Sequence, residues 1–269
     1  MATYTGVADI NGDFEIPFST AYTSAEKITV TASKDGDTRS VELYAPSEVS
    51  GGGDIQFSGN LTNFPNNIGV VTLSGEMINI PAYGFSSSNT STQRSIFASA
   101  TGLILGLGMV SVGNSGLNNW VGCRFFTAPP TLTTYGNNAL TGWTGVNQPL
   151  VIGGNVILLG SSSFSLWSNC PSLIIGIGVT VIPNTCFSGW TSATRVEILG
   201  QVTEMQTSAF SNLTSCNEFI IHTITPPTIQ SNTFASLKST CIIKVPAESV
   251  AAYQAAPNWS VFASRIEAV

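Results

Sequence analysis

The chain has 269 residues, of which only 9% are charged, and its net charge of −6 sits entirely in residues 1–54, where nine acids face three bases; residues 55–269 hold six of each. With no basic stripe to release counterions from phosphate, nucleic acid is excluded as a partner. Neutral Ser, Thr, Asn and Gly separate the apolar runs, which speaks against a helical bundle and for a turn-rich β architecture.

The start, MATYTGVADING, lacks the basic n-region and apolar h-region of a secretory signal. Apolar stretches around Leu103 and Leu173 run about ten residues between glycines, against about 20 for a membrane helix. Phe14, Ile16 and Phe18 alternate in FEIPF, as do Ile28, Val30 and Ala32 in KITVTA, the period-2 pattern of half-buried strands. KDGDT then predicts a tight hairpin turn into RSVELYA, because Asp-Gly tolerates positive φ. DINGDFE (Asp9 to Glu15) looks like a calcium loop but fails: Phe14 stands where the sharp turn requires Gly, and Thr20 where a bidentate Glu belongs. Residues 1–50 therefore read as a small β-sandwich-like module, and residues 51–54 as a glycine linker.

A repeat follows. Phe85, Leu117, Leu140, Phe164, Phe187, Phe210 and Phe234 recur at spacings of 32, 23, 24, 23, 23 and 24, and a period near 23 marks a solenoid. Fourteen residues before each of these anchors stand Val71, Leu103, Phe126, Leu150, Leu173, Val196 and Ile220; twelve before stand Leu73, Leu105, Ala128, Ile152, Ile175, Ile198 and His222. The two columns alternate as one inward strand face. Three residues before the anchor, Asn114, Asn137, Ser161, Asn184, Thr207 and Ser231 are side chains that cap helix starts, so a short helical turn is expected beneath each anchor. The first spacing of 32 implies an insertion within Ser86 to Ser95 that bulges from the stack. After the last anchor, IIKVP predicts one more strand and PAESVAAYQAA an amphipathic helix, followed by Trp259 and Phe262. The expected fold is mainly β: the N-terminal module, a solenoid of about seven coils over residues 55–240, and a C-terminal helical cap over 241–269.

The coils IPNTCFSGWTSATRVEIL and EMQTSAFSNLTSCNEFII resemble the BspA-like class of leucine-rich repeats, and the ending from Thr225 to Trp259 resembles the closing segment common in that class. Departures lie near Leu117 and Leu140, where Leu replaces Phe, and at APPT (Ala128 to Thr131), which interrupts a strand. The beginning, from Thr5 to Glu48, resembles an N-terminal module of tail-fibre and adhesin proteins of tailed phages of enteric bacteria. This resemblance implies a non-enzymatic, receptor-binding phage tail adhesin located in the virion. Its acidic module would attach to other tail or fibre proteins. Its solenoid would face a bacterial outer-surface receptor, protein or lipopolysaccharide. The alternative is a structural virion component, such as a fibre connector or a head-surface decoration. A bacterial surface adhesin fits less well without a secretion signal.

Five cysteines, odd in number and without a CxxC pair, do not read as a disulfide framework or zinc site. Cys123, Cys170, Cys186 and Cys216 occupy registers where a packed stack needs small residues. His222, the single histidine, falls in an inward column, and no GxSxG elbow accompanies it. From Met77 through Val196 no Asp or Glu occurs, so about half the solenoid lacks the carboxyl pair of ordinary glycoside hydrolysis. No catalytic residue, cofactor or metal is therefore expected. Trp120, Trp143, Trp167 and Trp190 recur three residues after the anchor; they fit either a covered core edge or rings that stack on sugars. Thirteen before the anchor, Ile104, Val151, Ile174 and Ile221 should point to the other face of the sheet, where aliphatics fit either a sheet covered from within the chain or a partner: a receptor or, in a homo-oligomer, another subunit.

Overall fold

A computed structural model describes residues 27–34, 37–44, 55–56, 69–73, 77–87 and 95–269. Within the unit Met1–Ile55, the alternating runs KITVTA and RSVELYA become the antiparallel strands Lys27–Lys34 and Asp37–Tyr44, in register from Lys27 opposite Tyr44 to Lys34 opposite Asp37. The FEIPF strand, the DINGDFE loop, the Asp35-Gly36 turn and the glycine linker lie outside the described residues.

The unit Gln56–Val269 is a mainly β solenoid of seven coils, each made of a longer strand, a bend, a two-residue strand and an anchor turn. The longer strands Val70–Leu73, Gly102–Leu105 and Phe126–Thr127 pair in parallel. A second parallel set runs through Leu150–Ile152, Ser172–Ile175, Arg195–Ile198, Glu218–Ile221, Ile242–Val245 and Ile266–Ala268. The two sets part where Pro129 and Pro130 follow the strand Phe126–Thr127 and Pro149 precedes the next, since proline cannot donate to a ladder.

The two-residue strands form a second wall: Asn79–Ile80, Ser111–Val112, Thr134–Tyr135 and Leu158–Leu159 in one set, and Val181–Ile182, Glu204–Met205 and Thr228–Ile229 in another. Here the break has one atom as its cause. The N–H groups of Gly113, Gly136, Gly160 and Gln206 donate to Ile80, Val112, Tyr135 and Ile182 carbonyls at 2.7–2.9 Å. At the equivalent position between Gly160 and Gln206 stands Pro183, which has no N–H.

The anchor turns correct one expectation. No helix lies beneath the described anchors; instead, at every anchor before Phe234, the residue two before it takes positive φ, among them Ser115 (52°), Asn138 (53°), Ser162 (56°), Thr185 (53°) and Ser208 (54°). So do those two after it: Asn119, Gly142, Leu166, Gly189, Asn212 and Ser236. A helix would direct its N–H groups along its own axis. These turns direct them across the stack: Leu117, Leu140, Phe164, Phe187 and Phe210 donate to carbonyls of the next coil, Ala139, Ser163, Cys186, Ala209 and Thr233, at 2.8–3.0 Å. The residues expected to cap helices serve the stack as well. Asn114 Oδ1 accepts the Asn137 N–H and Asn137 Oδ1 the Ser161 N–H, both at 2.8 Å.

Much of the proposed insertion, residues 88–94, lies outside the described residues. Its end forms the short 3-10 turn Ser95–Ser99, which delivers Phe97 onto Trp120 with ring centroids 4.9 Å apart. The cap forms as expected, with the helix Val250–Ala255 after a turn at Ala247–Ser249. It closes the last coil by hydrogen bonds to otherwise open carbonyls: Tyr253 Oη to Thr223 O at 2.8 Å, Trp259 Nε1 to Pro227 O at 2.8 Å, and Asn258 Nδ2 to Ile229 O at 2.7 Å.

The left-handed positions make a sharp prediction. Gly189 sits at φ +83°, so Gly189→Val should cost about 1–2 kcal/mol in denaturant unfolding. Gly153→Ala, where an added Cβ meets open space, should stay within about 0.5 kcal/mol.

Candidate functional site

The register of the longer strands sorts side chains into two faces. Leu150, Leu173, Val196, Phe219, Ile243 and Ile266 lie in one row, and Ile152, Ile175, Ile198 and Ile221 in another; all are buried. Between them runs the outward row Val151, Ile174, Glu197, Ile220, Lys244, Glu267. Val151 is 59% exposed, Leu199 at the strand end beside this row is 40% exposed, and Ile174 is half-buried. Ile104 takes the same outward position in the first set, between Thr72 and Thr127, and is also half-buried.

Ile221 departs from expectation. It is fully buried on the inward face, and Ile220 falls in the outward row, where it is itself buried at 6% exposure. Counting back from Phe234 places the extra residue of this coil before its strand. The chain absorbs it after the strand, between Ile221 and Ile229, because Val196 pairs with Phe219 while Met205 still pairs with Ile229. The same slip turns His222 outward.

The four tryptophans offer no surface. Trp120, Trp143, Trp167 and Trp190 are fully buried and stack in parallel at 5.5–5.6 Å. Each indole N–H donates at 2.7–2.8 Å to the anchor carbonyl of the preceding coil: Phe85, Leu117, Leu140 and Phe164. The ladder thus buries large apolar area and satisfies its one polar atom internally. This removes the sugar-stacking role.

The outward face also carries a chain of polar and charged side chains that sequence spacing did not bring together. His222 Nε2 lies 2.9 Å from Glu197 Oε1, Arg195 Nη2 lies 2.8 Å from Glu197 Oε2, Arg195 Nε lies 3.8 Å from Glu218 Oε2, and Lys244 Nζ lies 2.5 Å from Glu218 Oε1. The hydrogen bond from His222, followed by Arg195, holds the Glu197 carboxyl below its ordinary value against the opposing effect of burial. Lys244 does the same for Glu218. Both carboxylates are thereby kept ionised, the opposite of what a general acid needs at neutral pH. Among the described residues, no three His, Cys, Asp or Glu side chains gather where they could hold a metal. The five cysteines are free and buried; burial pushes Cys170 up to about 11 and Cys186 up to about 12, so neither is a nucleophile at neutral pH. What the arrangement offers is a surface: exposed aliphatics beside a self-compensating row of charges.

The repeat has known relatives. Residues 110–241 match the BspA type leucine-rich repeat region, in six copies. The match covers the repeat and leaves the rest of the chain outside it. No curated protein matches the chain. Among solved structures it is similar to the pneumococcal vaccine antigen PcpA, with 17% identity and a TM-score of 0.48, over 88% of this chain and 46% of that one. It therefore spans less than half of the antigen's length. A leucine-rich repeat protein from Bacteroides ovatus matches at 10% identity and a TM-score of 0.48, over 90% of this chain and 69% of that one. A leucine rich cell surface protein from Faecalibacterium prausnitzii matches at 14% identity and a TM-score of 0.29, over 94% of both chains. No helix among the described residues is long and apolar enough to cross a membrane.

Two outcomes follow. Trp143→Ala opens a void in the ladder and should lower unfolding stability by about 3–5 kcal/mol, whereas Ile174→Lys on the outward face should change it by about 0.5 kcal/mol or less. Glu197 is depressed from its ordinary 4.5, so its contribution is complete above that value and disappears as pH falls through its lower, folded-state value. The melting-temperature gap between wild type and Glu197→Gln should thus be fully open at neutral pH and close as the pH is taken well below the ordinary 4.5.

Proposed function

We propose that this protein is a non-enzymatic recognition protein, a phage tail adhesin that displays the outward face of the longer-strand sheet to a bacterial outer-surface receptor. The observation that carries this reading is the outward row itself. Val151 and Leu199 stay exposed beside the half-buried Ile174, flanked by Arg195, Glu197, Glu218, His222 and Lys244. Exposed aliphatics rimmed by charge are the composition of a protein-binding patch. Ionised, cation-paired carboxylates and the buried high-pKa thiols Cys170 and Cys186 leave little for catalysis. The likeness of the N-terminal residues to tail-fibre modules supports placing the protein in a virion, with that acidic module attached to other tail or fibre proteins.

The test is competition for host adsorption. Purified protein should block adsorption of the phage that carries it. The double variant Ile174→Asp, Leu199→Asp, folded by circular dichroism, should lose at least about tenfold in cell binding, in line with loss of an apolar anchor. Hosts stripped of lipopolysaccharide or of single porins then identify the receptor class. Protein that binds virions but never cells would overturn the adhesin role in favour of a connector or decoration protein.

A further inference from the structure

Two of the five buried cysteines lie against each other. Each coil bends into its longer strand in the same way: the N–H of Cys170 donates to Trp167 O, that of Ala193 to Trp190 O, that of Cys216 to Leu213 O, and that of Cys241 to Lys238 O. Cys170, Ala193 and Cys216 therefore occupy one level of successive coils, and Cys241 stands one residue nearer its own strand in the coil that follows. Ala193 separates Cys170 from Cys216, while Cys216 and Cys241 are direct neighbours in the stack. The strands that follow are paired, Glu218 opposite Ile242. Each thiol donates into that paired start, Cys216 Sγ to Glu218 O at 3.3 Å and Cys241 Sγ to Ile242 O at 3.7 Å. Neighbouring strands run about 4.8 Å apart, inside the roughly 4.4–6.8 Å between Cα atoms that a disulfide spans.

The surroundings distinguish the two sulfurs. The contact with Cys216 holds the Cys241 thiol below its ordinary value, helped by Arg265 and Lys238, while the same contact and burial push Cys216 up. Arg265 Nη1 also donates to the Cys241 carbonyl at 3.3 Å, which keeps the guanidinium beside it.

We propose that Cys216 and Cys241 form a reversible disulfide, with a low-molecular-weight disulfide as oxidant. Cys241 loses its proton, and its thiolate attacks one sulfur of the oxidant, leaving a mixed disulfide and expelling one thiolate. Cys216 then gives up its proton and attacks the Cys241 sulfur, expelling the second thiolate. The two cysteines lose two electrons and two protons, and the oxidant becomes two thiols. Both side chains are fully buried, so the reagent enters when the C-terminal segment opens. The bridge afterwards holds the strand Ile242–Val245, and the cap that follows it, against the preceding coil.

Incubating the full-length protein with oxidised glutathione tests this. Thiols titrated in denaturant should fall from five to three, and peptide mass spectrometry should show a Cys216–Cys241 link two hydrogens lighter than the reduced pair. Cys123, Cys170 and Cys186 serve as internal controls and should stay reduced. The oxidised protein should melt about 5–10 °C higher, a shift reversed by dithiothreitol. Cys241→Ser should keep its four thiols under the same treatment. Five remaining thiols, a bridge to another cysteine, or a glutathione adduct on Cys241 that never resolves would overturn the proposal.

Discussion

A coil of this protein cannot satisfy its own backbone. The N–H groups at each anchor turn point along the stack, and their acceptors are carbonyls of the next coil, as in Phe164 to Cys186 and Phe187 to Ala209. A coil standing alone would leave them to water and would expose the apolar columns as well. Everything else in the solenoid follows from this dependence on a neighbour.

Stacking makes columns, and columns reward repetition. Trp120, Trp143, Trp167 and Trp190 can lie parallel because each indole finds the same carbonyl one coil back. Where the column changes to Leu213, the space is taken differently. Phe219 packs edge-on against Phe210 and Phe234, at 4.9 and 5.1 Å, beside the continuing phenylalanine ladder Phe187, Phe210 and Phe234. The price of repetition is an open end, and the cap closes it through Tyr253, Asn258 and Trp259. On the outward face Arg195, Glu197, Glu218 and Lys244 compensate one another across adjacent strands, and His222 hydrogen-bonds to Glu197.

Much of this was legible before any coordinates. The spacing of the anchors, the alternation of Leu173 with Ile175, and the helix in PAESVAAYQAA are local or periodic signals, and they survive because every coil imposes the same environment on the same column. Three features were not legible. Asn114 and Asn137 carry a helix-capping chemistry that the fold uses across coils, since an asparagine oxygen accepts from whichever N–H lies nearest. The tryptophans fit core and surface alike until the left-handed residues before them, such as Asn119 and Gly142, are seen with the rings turned inward. Cys216 and Cys241 are remote in sequence and adjacent only because the coils stack.

From the amino-acid order alone came the period, the apolar columns and hence a β solenoid with a cap, because a repeat of this length leaves its hydrophobic faces nowhere to go but against each other. Which side chains of a given coil face in or out was decided by the assembled stack. A period counts residues without saying where an extra one is absorbed. Only the pairing of Phe219 with Val196 settled that Ile221 is interior and that Ile220 and His222 look outward.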